Sequence, residues 1–363
     1  ESDTEVLIKA YHAWGHNMLS KLNGMFAFAI YDILNQMVFC ARDRLGQKPL
    51  YYHYDKENLL FSSNLESLIK SNNNLSRIKE SSLDEYLRYG VVAAPRTIFE
   101  DYNKVEAGTI LEFSFKNNTV NAIKNKYWNI EDYVDNKPFN LKEFLNILED
   151  SISTRAKADV PVASFLSGGL DSTTVTKYLS KQNQINTFSV VTDDQSYDES
   201  KWSNLASKKY NTRHQSVNVN SNISNEDILE SIAVLDEPYA DPSIVPSYIL
   251  SREIAKYFKV AISGDGGDEL LGGYSRTFFT LRPKNILKAL ISNFYHFYPG
   301  FLGTGSFFLS KSRNNQTSYS STLADEKLIN LLKRNKKMKV NLQRDIQLLL
   351  EQKLYLVLRK ILN

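Results

Sequence analysis

Two adjacent glycines flanked by hydroxyls, set between an apolar strand and a helix, form a backbone that can close on phosphate oxygens. The chain has this arrangement at Ser167, Gly168, Gly169, Leu170, Asp171 and Ser172, after an apolar run ending at Leu166 and before a helix expected from Thr173. Without Cβ atoms, the N–H groups of Gly168 and Gly169 can approach a pyrophosphate. The hydroxyls of Ser167 and Ser172 add donors, and the helix N-terminus adds positive potential. The loop lacks the lysine of the common GxxxxGKS/T phosphate loop. Phosphate charge must therefore be neutralised by something else, and Asp171 offers a ligand for Mg²⁺.

A second loop, Ser263, Gly264, Asp265, Gly266, Gly267, Asp268 and Glu269, follows the strand expected at Lys259 to Ile262. Three carboxylates beside phosphates would repel them unless a cation lies between. Asp171 and Asp268 thus read as a Mg²⁺ pair holding the β- and γ-phosphates. The acidity argues against a dinucleotide fingerprint. The segment Leu235 to Ser243 carries Asp236, Glu237 and Asp241, and its prolines, Pro238 and Pro242, fix its backbone. Its carboxylates fit a substrate ammonium group, and Asp241 with Ser243 equally fits a helix cap before Ile244. Tyr197, Asp198 and Glu199 read as the start of a helix, with capping as their role.

The elements that would position these residues differ between the two halves. From Asn23 to Tyr127 short alternating strands (Met25 to Tyr31, Met37 to Arg42, Leu50 to Tyr54, Leu59 to Ser62) and a hairpin of Thr109 to Phe115 with Val120 to Tyr127 around Asn117 and Asn118 predict antiparallel sheet. Helices are expected only at Leu65 to Lys70 and Leu83 to Tyr89, and polar Asn129 to Asn140 reads as a linker. Beyond Leu141, strands at 160–166, 185–191, 214–219 and 259–262 alternate with helices at 173–181, 199–210, 227–235 and 249–258. That is the rhythm of a doubly wound parallel sheet, whose ligands bind at the carboxyl ends of the strands. A tail from Leu342 to Leu362 places apolar residues on one helical face.

A length of 363 residues suggests two domains. The 42% hydrophobic and 12% aromatic fractions are those of a globular protein, and no apolar run approaches the roughly 20 residues of a membrane span. Lys and Arg number 44 against 41 Asp and Glu, so nothing marks a nucleic-acid binder; the cluster Lys333 to Lys339 reads as a solvated loop. Small molecules and, at most, a second copy of the chain are the expected partners. A single cysteine, Cys40, excludes an internal disulfide, and its place in an alternating strand predicts a packed core thiol. With no secretory signal before the first motif, a cytoplasmic location is expected.

The motifs SGGLDS, YDES, DEPYADPS and SGDGGDELLGGY, in this order over Val160 to Tyr274, make the chain resemble the asparagine synthetase family. LNGMFAFAIYD at Leu22 to Asp32, ARDRLGQKPLYY at Ala41 to Tyr52 and APRTIFEDYNKVEAGTILEF at Ala94 to Phe113 resemble that family's class II glutamine amidotransferase domain. The resemblance implies an antiparallel β-sandwich amidotransferase domain at 1–128 and an N-type ATP pyrophosphatase domain at 141–363. The second domain would cleave ATP to AMP and pyrophosphate, activate L-aspartate as its adenylate, and amidate it with ammonia from glutamine. It implies further that Leu166, Ser167, Gly168, Gly169, Asp171, Ser172, Val190, Ser263 and Gly264 contact ATP. Asp171 and Asp268 would hold magnesium, Asp265 would lie beside the reacting centre, and Asp3 would grip the glutamine amino group. The family's nucleophilic first cysteine, its NGE turn and its DRxSM segment do not occur, so the chain is expected to be incomplete at both ends. Two alternatives stand beside this reading: amidation of another carboxylate, such as a sugar acid, and a noncatalytic nucleotide-binding remnant.

Overall fold

The computed structural model describes residues 2–274 apart from 73–75, 117–118, 136 and 220–222. The described residues divide into two compact units, 2–135 with 236–239 and 137–235 with 240–274. The expected tail helix, the Lys333 to Lys339 cluster and the Asn117–Asn118 turn lie outside the described residues.

The first unit opens with α1 (Asp3–Trp14), capped by the Ser2 hydroxyl, which accepts from the Glu5 N–H, with Asp3 and Glu5 in its first turn. The sequence reading names its first element only from Asn23 and places no helix here. Strands β1 (Ala27–Asp32), β2 (Met37–Arg42), β3 (Tyr51–Tyr54) and β4 (Leu59–Ser62) come next, then helices α2 (Leu65–Ser71) and α3 (Glu80–Tyr89), then β5 (Asn103–Lys104), β6 (Thr109–Lys116) and β7 (Thr119–Lys126). They form two antiparallel sheets, β1-β2-β6-β7 and β4-β3-β5. Strand β2 is buried on both faces. Phe39 and Ala41 meet Ala10, Met18 and Leu19, while Val38 and Cys40 join Leu50, Val105 and Phe113, with Tyr52 and Leu59 of the second sheet packed against them. Cys40 is wholly buried, and burial pushes its thiol up to about 12. It is a core residue and not a nucleophile at neutral pH.

The loop after β2 shows how ARDRLGQKPLYY specifies a shape. The Asp43 carboxylate accepts from the N–H groups of Leu45, Gln47 and Lys48. The Arg42 guanidinium donates to the carbonyls of Gly46, Lys48 and Val105. Six otherwise unpaired backbone groups are thereby satisfied by two side chains.

The second unit begins with α4 (Leu141–Arg155) and continues β8 (Val162–Phe165), α5 (Leu170–Leu179), β9 (Asn186–Val191), α6 (Ser200–Tyr210), β10 (Arg213–Asn218), α7 (Asn225–Ala233), α8 (Ile244–Ala255), β11 (Val260–Ile262) and α9 (Gly267–Leu271). The strands form one parallel sheet in the order β10-β9-β8-β11. Alternation along the strands feeds two layers. Ala163, Phe188 and Val217 pack with Ile249, Leu250 and Ile254 of α8. A separate cluster joins Ile152 of α4 to Tyr178 and Leu179 of α5. The expected α/β class, an antiparallel sandwich followed by a doubly wound parallel sheet, is what the chain adopts. Helix α8 starts earlier than the sequence reading, because Pro246 lies in its first turn, where a missing N–H costs nothing. Among the described residues no helix is long and apolar enough to cross a membrane.

Candidate active site

The chain order reverses between β8 and β11, since β9 and β10 lie to one side of β8 and β11 to the other. Ligands of open parallel sheets bind at the carboxyl edge of such a switch point. Both glycine-rich loops leave the sheet there, one from β8 and one from β11.

The first loop runs from Leu166, whose N–H donates to the Phe188 carbonyl at 2.8 Å and so extends the ladder. Gly168 has φ +87°, and a Cβ there would sit 2.5 Å from the Ser203 nitrogen and the Trp202 carbonyl carbon of α6. Only glycine fits this position. The Ser167 and Ser172 hydroxyls bond each other at 2.9 Å, and Ser167 Oγ accepts from the Gly169 N–H at 3.2 Å. Helix α5 starts at Leu170, earlier than expected, so Asp171 and Ser172 stand in its first turn.

The second loop locks onto the first. A Cβ on Gly264 would lie 2.8 Å from the Ser172 nitrogen, and one on Gly267 would lie 2.6 Å from the Asp171 carboxylate. Gly266 has φ +94° and starts α9, a helical turn absent from the sequence reading. A Cβ on Gly273 would overlap the Asp268 carboxylate outright. Ser263 Oγ donates to the exposed Asp265 carboxylate at 3.0 Å. The Tyr274 hydroxyl donates to Glu269 at 2.6 Å. Burial holds the Asp171 carboxyl above its ordinary range, and the charges of Asp268 and Glu269 push it further the same way.

That repulsion is what a divalent cation between Asp171 and Asp268 would relieve. Among the described residues no three His, Cys, Asp or Glu side chains converge to hold a metal by themselves. Mg²⁺ needs no such cage: it is commonly taken up through one or two carboxylates together with substrate phosphates and water. The residues present therefore fit Mg²⁺ carried by a nucleotide.

Residues 143–355, more than half the chain, match the family described as asparagine synthase. The chain belongs to the asparagine synthase family. Residues 1–128 match the glutamine amidotransferase domain. A putative glutamine-hydrolysing asparagine synthetase of Methanocaldococcus jannaschii is 34% identical over 280 residues, 75% of this chain and 54% of that protein. Glutamine-hydrolysing asparagine synthetase 1 of Bacillus subtilis is 32% identical over 281 residues, 76% of this chain and 43% of that protein. The chain spans about half the length of the curated relatives it matches. Among solved structures, an NH3-dependent NAD synthetase from Campylobacter jejuni aligns with 38% of this chain and 62% of its own at 16% identity and a TM-score of 0.28, a likeness too slight to bear on the argument.

In this asparagine synthase family member, the two loops bring Ser167, Gly168, Gly169, Asp171, Ser172, Ser263, Gly264, Asp265 and Asp268 to one sheet edge. Val190 stands near the end of neighbouring β9, packed against the apolar cluster beneath. Asp3 lies in the other unit, exposed in the first turn of α1. At the start of α6 the cap position is held by Glu199, whose side chain makes no capping bond; Asp198 before it accepts from the Ser200 N–H and hydroxyl. Ser243 makes no side-chain cap; Asp241 accepts from the Ser243 N–H at 2.9 Å and its carbonyl from Ile244. Asp236 and Glu237 belong to the first unit, where they bond Asn64, Ile98 and Lys104. Sequence reasoning missed the Trp202–Ser203 backbone that walls the first loop. The only signal for it was a glycine whose φ could not be read.

Proposed function

We propose that the protein is a glutamine-dependent asparagine synthetase: it activates L-aspartate with ATP and amidates it with ammonia taken from glutamine. The interlock of the two loops at the switch point carries this reading. Gly264 and Gly267 exist to let the second loop touch Ser172 and Asp171, which makes one cradle of two motifs. In this reading the backbone of Leu166 to Gly169, with Ser172, Val190, Ser263 and Gly264, binds ATP. Asp171 and Asp268 hold Mg²⁺, which when bound neutralises the β- and γ-phosphates. An aspartate carboxylate oxygen attacks the α-phosphorus, the bond to the bridging oxygen breaks, and pyrophosphate leaves. Ammonia then attacks the acyl carbon and AMP leaves; Asp265, held by the Ser263 hydroxyl, takes the proton that ammonia loses. Residues 141 onward form the synthetase domain and residues 1–128 the amidotransferase domain, where Asp3 meets the glutamine amino group. A cytoplasmic location goes with this reading.

The test is AMP formation from ATP with aspartate, compared with sugar acids. Aspartate should be the preferred acceptor; AMP formed with a uronic acid and not with aspartate would replace it, and ATP binding without any AMP would leave a nucleotide-binding remnant. Asp268→Asn should remove AMP formation while preserving the fold, and a variant of full activity would refute the Mg²⁺ assignment.

A further inference from the structure

Helix–sheet interfaces are built from apolar side chains as a rule, yet the contact between α6 and the sheet is lined with hydroxyls. Thr187, Ser189, Ser203 and Ser207 are all buried. His214 of β10 stands among them with both ring nitrogens engaged, Nδ1 3.0 Å from Thr187 Oγ1 and Nε2 3.1 Å from Ser189 Oγ. The Ser203 hydroxyl reaches Ser189 Oγ at 3.4 Å and the Ser200 carbonyl at 3.1 Å. Thr212 Oγ1 is 2.8 Å from Thr187 Oγ1 and donates to Ser207 Oγ at 3.0 Å.

Small side chains allow α6 to sit close to the sheet. What that closeness delivers is the Trp202–Ser203 backbone, pressed against Gly168 so tightly that no Cβ fits. We infer that His214 is a positioning residue of the phosphate cradle: through Ser189 and Ser203 it fixes the start of α6, and through α6 the conformation of Gly168. The chemistry suits this role. A hydroxyl rotor can swing among partners, whereas a flat imidazole with both nitrogens bonded fixes the direction of each bond. Burial also keeps the ring below its ordinary range, so near neutrality it offers one N–H and one lone pair, matching two hydroxyls that can each donate or accept.

The inference rests on reading the first loop as the ATP site. Its test is isothermal titration of the 363-residue chain with ATP and with AMP, both with Mg²⁺. AMP lacks the β- and γ-phosphates that the cradle would hold, so the wild type should bind ATP more tightly than AMP. His214→Phe should weaken ATP about tenfold, the loss of one or two buried hydrogen bonds, and leave AMP unchanged. His214→Asn, which keeps one polar arm, should recover part of the difference. Ser189→Ala, which removes a single hydroxyl, should act in the same direction and decides the matter if the phenylalanine variant does not fold. An unchanged ATP-to-AMP ratio in the variants, or equal weakening of both nucleotides, would overturn the role of His214 while leaving the cradle in place. A wild type that does not distinguish ATP from AMP would remove the cradle reading and this inference with it.

Discussion

Because Asp171 faces Asp268 and Glu269 across the glycines of the second loop, its carboxyl is held above its ordinary range, by burial first and by those charges next. A raised carboxylate binds its proton more tightly in the folded chain than in the unfolded one. Its contribution is therefore favourable at low pH and is lost as pH rises from the ordinary value of 3.8 through the raised one. At neutral pH it opposes folding. Asp171→Asn should then raise the melting temperature without Mg²⁺, by about 1–2 °C, and abolish the further rise that Mg·ATP produces in the wild type. Thermal melts with and without Mg·ATP check both; a variant that melts lower, or still responds to Mg·ATP, would contradict the assignment.

At the scale of elements, two polar devices replace apolar packing. In the first unit Lys104 Nζ lies 2.5 Å from Glu237, with both side chains largely buried, and Glu237 also accepts from the Ile98 N–H at 2.7 Å. Removing one partner of such a pair strands the other. Glu237→Gln or Lys104→Met should cost about 3 kcal/mol each, and the double variant clearly less than the sum, in urea denaturation. Additive losses would show that the pair is not coupled. In the second unit, burial depresses His214, and only a hydrogen bond to the Thr187 backbone opposes it. As the pH falls, the unfolded chain takes up a proton that the folded chain refuses. Stability is thus complete above about 6.5, the ordinary imidazole value, and is lost as pH falls from there toward the depressed folded value. His214→Asn should flatten that part of the stability profile between pH 5 and 7, and an unaltered profile would exclude the histidine as its source.

For the whole molecule, the division into two units falls in the segment read as a linker, 129–140, of which Ile130–Tyr133 form a single 3-10 turn. Tyr133 and Phe139 are 70% and 71% exposed, and among the described residues the segment holds no strand or α-helix. Brief chymotrypsin treatment should cut first after one of these two residues, as mass spectrometry of the early fragments would show. Early cuts elsewhere, with 129–140 intact, would argue against a linker. The two halves match different families, amidotransferase at 1–128 and asparagine synthase at 143–355, so such a cut falls between the two matches.

Much of this molecule was legible in one dimension because its signals are local. Period-two alternation marked β6, the alternation of strands with helices marked the parallel sheet, and the glycine and carboxylate spacing marked both loops. Helix α1 precedes Asn23, where the first element named from the sequence begins, and the short α9 lay inside a segment whose glycines read as a turn. Tertiary structure decided what no spacing encodes. It revealed that Gly168 faces the backbone of α6, that Gly267 leaves room for the Asp171 carboxylate, that Asp236 and Glu237 pair within the first unit, and that His214 sits in a seam of hydroxyls. The physical reason is the same in each case: excluded volume and burial depend on partners far away in the chain, and a residue's type does not name its neighbour.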